Sequence, residues 1–597
     1  MGTNWPVREP SELSQYLSAK LGLAEPLCRI LINRGITNLR KAEEFLNPHF
    51  DFTDIFSGFK SISKALEIIN GVLSCGEKAG ILAGCNMDGL CGLLILRDAI
   101  RQTQTVSFVL EDSGGISEKE ISKVISSGAK LLITVGVGIS DNTAIKKIKN
   151  AGIKVIITDQ HKPSDAMPPA DVILDPNLED NFSEISGAFT AFYLAAALKL
   201  SRLQGFGETK IACDTETSGL SARCCEIIEI GAIKFSGFRV IDTFSALLKP
   251  ASPISRKISE ITGITNEELA EASDRKKVLA KFREWAGCAP FVFHNAPFDV
   301  PFIDSEFKKY LGAAFDNEII DTLTMSRQMM PSQSHKLESL KEHFKIKTAS
   351  HRALPDAETT FRIHNLLMYV RQGDFRVFLE QNLPLAALGT VSCGIPLRER
   401  SRWVVKNHLK GVFEIKRFAF RKLIKELNIR KKNYYEDIAQ KFIPFINNAE
   451  RTIETAKILK LFETDSSKEA DGIIDCIRAA GEKSYFSFEK KIEESFKKKK
   501  EYADIEWTPE MSSNISEMYE HLEPYGEGNP PVSVILRDAK VVSSDGESIT
   551  LKKLGKSIKV ITAANKIIPQ GALIDALLKL KKVKGTPVLI LQDYRNK

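Results

Sequence analysis

Four acidic residues and one histidine occur in three short segments of the chain, where together they could hold divalent cations. In residues 211–220, Asp214 and Glu216 lie two positions apart in a β-type run. Because side chains alternate along a strand, both carboxylates are expected on the same face of a sheet. Neighbouring carboxylates repel each other unless a cation lies between them, and their hard oxygens suit Mg²⁺ or Mn²⁺.

The other two segments supply the remaining groups. In residues 291–299, a β-type run gives way to a turn that is expected to present Asp299. In residues 351–356, His351 is expected on a loop and Asp356 near the start of a helix. Two divalent cations can activate a water and stabilise the departing oxygen in an in-line displacement at phosphorus, and a histidine can take the proton from that water. The pattern therefore indicates a two-metal phosphodiester hydrolase.

Three motifs resemble those of the DEDDh exonucleases, the DnaQ-like proofreading family. They are Asp-Thr-Glu-Thr-Ser-Gly-Leu at 214–220, His-Asn-Ala-Pro-Phe-Asp at 294–299 and His-Arg-Ala-Leu-Pro-Asp-Ala at 351–357. Asp321-Thr-Leu between the second and third also fits the spacing of that family. The resemblance covers about residues 207–372. It implies an RNase H-like fold, a mixed five-stranded sheet with flanking helices, and 3′→5′ removal of nucleotides from a single-stranded or frayed end.

The same resemblance assigns roles to individual residues. It implies that two divalent cations, Mg²⁺ or Mn²⁺, are bound by four ligands: Asp214, Glu216, Asp299 and Asp356. It also implies that His351 is the general base. Contacts to the terminal nucleotide are predicted at residues near these ligands: Thr215, Leu220, His294, Asn295 and Phe298.

The elements that must position these residues follow an α/β pattern. From about residue 26 to 205, helical spacing alternates with β-rich runs at 79–83, 131–135 and 155–158, which predicts a parallel sheet. Consecutive β-type runs from Ile228 and Arg239 predict a hairpin that opens a second α/β unit. A mainly helical stretch continues to about residue 510. Short β-type runs then fill the last 75 or so residues and predict a small barrel or sandwich.

The flanks of the predicted exonuclease resemble a second family, the RecJ-type DHH phosphoesterases. Thr158-Asp-Gln-His-Lys-Pro and Ser186-Gly-Ala-Phe-Thr-Ala-Phe carry the match before the exonuclease, and Ala387-Leu-Gly-Thr-Val and Leu522-Glu-Pro-Tyr-Gly-Glu-Gly-Asn-Pro carry it afterwards. We therefore expect an exonuclease inserted into a split DHH domain, because the ends of compact domains often lie close together. The end of the chain, from about residue 524, resembles the RecJ OB-fold.

The DHH part lacks most of the acidic residues with which its family binds metal. The positions of the family motifs are occupied by Asn86, Asp88, Gly136, Asp159, Gln160, His161 and Cys393. Asp88, Asp159 and His161 alone cannot hold two cations that need octahedral oxygen shells. We interpret this part as a degenerate, catalytically inactive module, and Asp88 and Asp159 as hydrogen-bonding residues rather than ligands.

The expected architecture is a multidomain α/β protein. The predicted boundaries are a split DHH domain at 1–205 and 376–465, the exonuclease at 207–372, a helical connector at 466–520 in place of the usual DHH-associated domain, and an OB-fold at 521–597. With 43% hydrophobic and 27% charged residues, the chain is too apolar to be disordered. It has no apolar run long enough for a membrane span, no secretory signal pattern and ten scattered cysteines, which together predict a cytoplasmic protein.

The leading functional hypothesis is a metal-dependent 3′→5′ exonuclease in replication or repair, carried in an inactive RecJ-like scaffold. Its expected partners are single-stranded DNA and replication or repair proteins, with no membrane. Two alternatives stay open. The chain could serve mainly as a non-catalytic single-strand-binding or replication scaffold with an accessory nuclease. It could also be an RNA-trimming 3′→5′ exoribonuclease, since no residue excludes a 2′-hydroxyl.

Three smaller features carry weaker signals. A basic stretch from Arg417 to Lys432, interleaved with aromatic residues, fits nucleic-acid contact or ordinary packing equally well. The run Lys497-Lys-Lys-Lys is more typical of a solvated helix face than of phosphate contact. The adjacent pair Cys224-Cys225 is interpreted as strand packing, since neighbouring cysteines cannot close an ordinary disulfide without strain.

Overall fold

The computed structural model describes most of the chain. The described residues are 7, 11–100, 104–111, 114–180, 182, 184–330, 334–349, 351–371, 373–449, 455–481, 503–508, 511–527, 529–562, 567–583 and 586–596. They form two compact units. The first comprises residues 1–50, 58–195 and 380–597, and the second comprises residues 51–57 and 196–379.

A fully parallel five-stranded sheet organises the first part of unit 1. Its strands follow the order β2-β1-β3-β4-β5. They are β1 (Ala79–Ala83), β2 (Thr105–Val109), β3 (Leu131–Val135), β4 (Lys154–Thr158) and β5 (Val172–Leu174). Every residue of β1 and β3 is buried, as expected for apolar strands of a parallel sheet that is covered on both faces. The predicted parallel sheet is therefore confirmed.

Helices connect the strands of this sheet. They are Ile62–Ser74, Met87–Ala99, Glu118–Ser126, Asn142–Asn150 and Gly187–Ser201, with a 3₁₀ turn at Pro176–Leu178. The chain before them forms the helices Glu12–Leu21, Glu25–Asn33 and Leu39–Leu46, and the last two share a hydrophobic core with the C-terminal part of unit 1. The Asn86 side chain caps the helix Met87–Ala99 by accepting a hydrogen bond of 2.9 Å from the backbone N–H of Gly89. Asn86 thus has a local structural role at a position where the family motif has an aspartate.

Unit 2 contains a mixed five-stranded sheet of the kind predicted. Its strand order is β10-β9-β6-β7-β8. The strands are β6 (Thr209–Thr217), β7 (Ile227–Ser236), β8 (Arg239–Leu247), β9 (Phe291–Phe293) and β10 (Ile319–Asp321). The expected hairpin is present, because β6, β7 and β8 are antiparallel neighbours. Strands β9 and β10 run parallel to β6 and to each other.

Unit 2 also contains helices. They are Asp54–Ser57, Arg256–Thr262, Asn266–Ala270, Arg275–Ala286, Ala296–Leu311, Thr322–Met329, Leu337–Phe344, Ala353–Asn365 and Leu366–Val370, and the helix Gly373–Cys393 begins in unit 2 and continues into unit 1. A core of aromatic and aliphatic side chains, including Phe282, Phe291 and Phe293, lies between the sheet and the helices Arg275–Ala286 and Ala296–Leu311. The helix Ala353–Asn365 packs on the other side through Ala357 and Phe361.

The C-terminal part of unit 1 is helical and then forms a β-barrel. The helical elements are Glu399–His408, Leu409–Glu414, Phe418–Glu426, Lys431–Asn433, Tyr434–Asp437, Ile438–Phe442, Ile443–Ala449, Thr455–Glu463, Ser467–Gly481 and Met511–Leu522. The later strands are β11 (Ile505–Glu506), β12 (Ser533–Ser544), β13 (Ser548–Lys553), β14 (Lys556–Thr562), β15 (Leu573–Val583) and β16 (Thr586–Asn596). Pairing of β12 with β15 closes a five-stranded barrel, as the OB-fold prediction requires.

The structure divides the chain near residues 195 and 379, whereas the predicted exonuclease boundaries are 207 and 372, and those boundaries stay predictions. Lys497-Lys-Lys-Lys lies outside the described residues. Among the described helices, none combines the length and the apolar character that crossing a bilayer demands.

Candidate active site

Strand β6 presents two of the predicted ligands side by side. Asp214 and Glu216 are half-buried, whereas Cys213, Thr215 and Thr217 between and beside them are buried, so the two carboxylates share one face as expected. Asp356 joins them from the first turn of the helix Ala353–Asn365. Single oxygens of these three carboxylates all lie within 4.8 Å of one another. Three hard oxygen donors so close together could hold a divalent cation.

The fourth predicted ligand, Asp299, lies beside this cluster but is engaged with β6. It occupies the first turn of the helix Ala296–Leu311 rather than the predicted turn, so the expectation of a turn was wrong. Its Oδ1 accepts hydrogen bonds from the backbone N–H (3.1 Å) and the hydroxyl (2.7 Å) of Thr215. Thr215 lies between Asp214 and Glu216 in the chain, so these bonds hold Asp299 next to both. Its role as a ligand stays a prediction.

Burial and mutual repulsion disfavour the charged forms of these acids. Burial, followed by the charges of Asp299 and Glu216, raises the pKa of Asp214 well above its ordinary value. Burial and the charge of Asp356 raise the pKa of Glu216 to about 7. Burial likewise raises the pKa of Asp299 to about 7 and shifts that of Asp356 upward. A group of acids with raised pKa values is typical of a site that is completed by cations.

A fifth acid, Glu229, positions the helix that carries Asp356. Glu229 lies opposite Glu216 on β7 and is only 3% exposed. Its carboxylate accepts hydrogen bonds from the guanidinium of Arg352 (2.7 Å and 3.1 Å) and from the backbone N–H of Ala353 (3.0 Å). It therefore fixes the start of the helix Ala353–Asn365 and neutralises Arg352. Sequence reasoning missed both residues, although a glutamate inside the apolar run Ile227-Ile-Glu-Ile was a usable signal.

Gly231 allows that helix to approach the sheet closely. It pairs with Asp214 across β6 and β7. A Cβ atom at Gly231 would lie 2.1 Å from the backbone nitrogen of Leu354 and 2.2 Å from the carbonyl carbon of Ala353. Only glycine leaves room for this contact, which brings the Asp356 carboxylate to the strand that bears Asp214.

The predicted base, His351, precedes the same helix. Its backbone has a φ of 64°, a conformation that is uncommon outside glycine and that clusters at functional sites. Its backbone N–H donates a 3.1 Å hydrogen bond to Oδ2 of Asp356, and the residue is exposed. The histidine thus lies at the solvent side of the carboxylate cluster.

The five predicted substrate contacts have different surroundings. Thr215 is 5% exposed and holds Asp299, whereas Leu220 is 88% exposed on the loop after β6. Asn295 is exposed with a φ of 73°, and the Phe298 ring packs on Phe302 at a tilt of 47°, with the ring centroids 5.4 Å apart. His294 is largely enclosed, with its ring nitrogens 2.9 Å from the Thr322 hydroxyl and from the His335 carbonyl oxygen. Each of these roles remains a prediction.

Asp321 arranges the turn that displays Asn295. Its Oδ1 accepts hydrogen bonds from the backbone N–H groups of Asn295 (2.9 Å) and Leu323 (3.1 Å), and its Oδ2 accepts one from the Thr324 hydroxyl (2.7 Å). The preceding residue, His294, is half-buried, and this burial lowers the pKa of its imidazole. Asp321 is therefore a structural support for the loop between β9 and the helix Ala296–Leu311.

In unit 1, the remaining acidic residues of the DHH motifs make internal hydrogen bonds. Buried Asp88 accepts from the backbone N–H groups of Gly187 (3.0 Å) and Ala188 (2.9 Å) at the start of the helix Gly187–Ser201, and burial raises its pKa to about 6. Buried Asp159 accepts from the N–H of Ile139 (3.1 Å), and its Oδ1 lies 2.7 Å from Nδ1 of His161. Both aspartates therefore make hydrogen bonds within unit 1, and their lack of a metal-binding role stays a prediction.

Glycines fill the space around these aspartates. A Cβ on Gly187 would lie 3.0 Å from the Asp88 carboxylate and 2.6 Å from the Gln160 side-chain oxygen. Cys393 occupies the fourth motif position, with its sulfur 3.6 Å from the Gln160 amide nitrogen. No second cluster of three or more metal-ligating side chains occurs among the residues that the structure describes.

The basic stretch is largely neutralised by neighbouring acids. Ion pairs join Arg417 to Asp98 (2.6 Å), Lys422 to Asp471 (2.6 Å), Arg430 to Asp437 (3.3 Å) and Lys431 to Glu414 (3.0 Å). Phe420 is fully buried and stacks on Phe442 with ring centroids 5.7 Å apart. Packing therefore accounts for Phe420, while nucleic-acid contact by the basic residues of this stretch stays a prediction.

Comparison with known families assigns the two α/β parts. Residues 211–364 match the family described as exonuclease, and residues 81–221 match the DHH family, N-terminal domain. The shared residues 211–221 lie in β6 and the loop after it, within unit 2. The chain carries an exonuclease domain inserted into a DHH domain. The residues after the exonuclease domain return to unit 1.

The exonuclease domain has relatives among DNA polymerases. It is similar to DNA polymerase III PolC-type of Bacillus subtilis (strain 168), with 42% identity over 156 residues, or 26% of this chain and 11% of that protein. The corresponding polymerase of Thermotoga maritima is 34% identical over 227 residues, or 37% of this chain and 16% of that protein. The chain thus spans a small part of the length of each polymerase.

The fold as a whole is similar to that of a RecJ protein. The crystal structure of RecJ in complex with Mn²⁺ from Thermus thermophilus aligns with a TM-score of 0.55 and 14% identity. The alignment covers 99% of this chain and 78% of that chain. At this identity the likeness establishes the RecJ-like fold around the exonuclease domain and carries no information on activity.

Proposed function

We propose that the exonuclease domain removes nucleotides from the 3′ end of single-stranded DNA in replication or repair, with two Mg²⁺ or Mn²⁺ ions as cofactors. The carboxylate cluster of Asp214, Glu216 and Asp356 is the observation that carries this proposal. The polymerase relatives of the domain favour DNA over RNA as the substrate. The ten free thiols are in keeping with a reducing, cytoplasmic compartment.

The donor set fits hard divalent cations. The proposed ligands are carboxylate oxygens only, and burial together with mutual repulsion makes their charged forms costly unless a cation is bound. The guanidinium of Arg352 is hydrogen-bonded to Glu229 and is not a hydrogen-bond partner of these three carboxylates in the described contacts. Asp214, Glu216 and Asp356 would hold the cations, with Asp299 as the fourth ligand. When bound, the cations would activate the attacking water and stabilise the departing oxygen.

Residues around the carboxylate cluster accept the proton, hold the ligands in place and contact the substrate. His351 accepts the proton of the attacking water from its exposed position beside Asp356. Thr215 holds Asp299 through two hydrogen bonds, and Glu229 holds the helix that carries Asp356. Leu220 and Phe298 pack against the terminal nucleotide, because both are apolar and lie near the ligands in the chain.

We also propose that the DHH domain is a catalytically inactive scaffold that helps to hold single-stranded DNA. The engagement of Asp88 and Asp159 in backbone hydrogen bonds supports the loss of metal binding there. The closed barrel β12–β16 supports strand binding, because barrels of this type often carry single strands.

The deciding experiment is a timed digestion of single-stranded DNA and RNA, each labelled at one terminus. We expect stepwise shortening of DNA from its 3′ end with Mg²⁺ or Mn²⁺, and none with a chelator or with Asp214→Asn. Shortening from the 5′ end would contradict the proposed polarity. If RNA is digested faster than DNA, the proposed substrate is wrong and RNA takes its place. Strand binding without digestion by the wild-type chain would favour the scaffold alternative.

A further inference from the structure

Two adjacent thiols lie on the loop that follows the proposed ligand strand. The loop spans residues 218–226, between β6 and β7. The sulfur atoms of Cys224 and Cys225 are 3.8 Å apart. Cys224 is exposed and Cys225 is half-buried. The pair occupies a loop rather than the strand of the sequence interpretation, whereas the packing part of that interpretation holds for Cys225, which contacts the core of unit 2.

The loop has a defined conformation. Its ends are joined by a hydrogen bond from the Ser218 N–H to the Glu226 carbonyl (2.8 Å) and one from the Glu226 N–H to the Ser218 hydroxyl (2.9 Å). The N–H groups of Cys224 and Cys225 both donate to the Ser221 carbonyl, at 3.1 Å and 2.9 Å. These hydrogen bonds define the turn in which the two thiols lie next to each other.

We propose that Cys224 and Cys225 form a redox-sensitive modification site that closes to a disulfide when a peroxide reaches the loop. The two thiols lose their hydrogens, an S–S bond forms, and the peroxide is reduced to an alcohol and water, or to two waters from hydrogen peroxide. The sulfur atoms must approach from 3.8 Å to the bonding distance of about 2.05 Å. Exposed Cys224 is the sulfur that the oxidant reaches first.

The product disulfide would be strained and therefore reversible. Adjacent Cα atoms across a trans peptide are about 3.8 Å apart, whereas ordinary disulfides join Cα atoms about 4.4–6.8 Å apart. Strained and exposed disulfides have more oxidising potentials, so thiol reductants open them readily. This chemistry is typical of regulatory rather than structural disulfides.

Closure of the disulfide would also disturb the loop that carries Leu220. The Cys225 sulfur packs against Gly219, where an added Cβ would lie only 2.5 Å from it. Moving this sulfur toward Cys224 withdraws it from Gly219, the neighbour of exposed Leu220. Given the proposed function, we expect oxidation to slow the exonuclease by displacing Leu220 from the terminal nucleotide.

Peptide mapping of the oxidised full-length chain tests the modification itself. Trypsin cleaves after Arg223 and Lys234, so both cysteines fall on one peptide, residues 224–234. After a brief peroxide pulse and alkylation, we expect this peptide unalkylated and lighter by two hydrogens. Exposed Cys75, Cys288 and Cys476 serve as internal controls and should remain alkylated. Oxidation of those three before the pair, or a link from Cys224 to a second chain, would overturn the proposal.

The rate of DNA digestion tests the functional consequence. We expect the wild-type rate to fall in proportion to the oxidised fraction of the 224–234 peptide and to recover with dithiothreitol. A Cys224→Ser, Cys225→Ser double variant should not respond to the same pulse. If the same peroxide pulse slows the double variant as much as the wild type, the proposed effect of the disulfide on activity is overturned. If the reduced wild-type chain has no nuclease activity, the proposed function is refuted. Peptide mapping would still show whether Cys224 and Cys225 form a disulfide.

Discussion

The contact between Gly231 and the helix Ala353–Asn365 provides a sharp test of how the site is assembled. In Gly231→Ala, the new Cβ would lie 2.1 Å from the Leu354 nitrogen, so the helix must retreat by more than about 1 Å to restore an ordinary contact. Because Asp356 is on this helix, its carboxylate leaves the cluster by a similar distance. A misplacement of about 1 Å in a catalytic group can lower kcat by about 100-fold, or about 2.7 kcal/mol.

The assay compares the rate of single-stranded DNA digestion, its dependence on Mg²⁺ concentration, and thermal unfolding. We expect Gly231→Ala to remain folded with stability reduced by about 1–3 kcal/mol, as for other overpacked sites. Its rate should fall by about 100-fold and its Mg²⁺ requirement should rise. Gly207→Ala is the matched control, since a Cβ at Gly207 meets nothing within 4 Å. A folded Gly231→Ala variant with the wild-type rate would refute the reasoning.

Three further predictions concern the charges. Asp214→Asn should lower the digestion rate by at least about 1,000-fold, or about 4 kcal/mol. It should also raise the melting temperature of the metal-free protein at pH 8, because one repelling carboxylate is lost. An unchanged digestion rate would contradict the role of Asp214 as a ligand. In the metal-free wild type, the folded-state pKa values of Glu216 and Asp299 are raised to about 7, so the contribution of these two acids to folding stability should be largest at acid pH and should be lost as the pH rises from about 4 to about 7. Calorimetry of the wild type and of Glu216→Gln measures this contribution as the difference in stability between the two, and Mg²⁺ should restore it in the wild type; a difference that does not change over this window would refute the electrostatic account. Asp159→Ala should lower stability by about 1–3 kcal/mol, because buried donors lose their acceptor, but should leave the digestion rate per folded molecule nearly unchanged; loss of digestion would overturn the inactive assignment of the DHH domain.

The sequence by itself determined the local geometry of the candidate site. The strand period places Asp214 and Glu216 on one face, and the apolar runs of β1, β3 and β4 fix the parallel sheet, because both features depend only on neighbouring residues. The motif resemblance also located Asp299, His351 and Asp356 without the structure. The two families and the closed barrel followed from the same residues.

Only the tertiary structure decided how distant segments meet. The bond of Glu229 to Arg352, the close approach at Gly231 and the attachment of Asp299 to Thr215 join residues about 80 to 120 positions apart, and no local pattern encodes such partners. The sulfurs of Cys224 and Cys225 lie in a loop whose ends are joined by the hydrogen bonds between Ser218 and Glu226. These contacts arise from packing of the whole domain, where close approach and burial select residues that local sequence periodicity cannot identify.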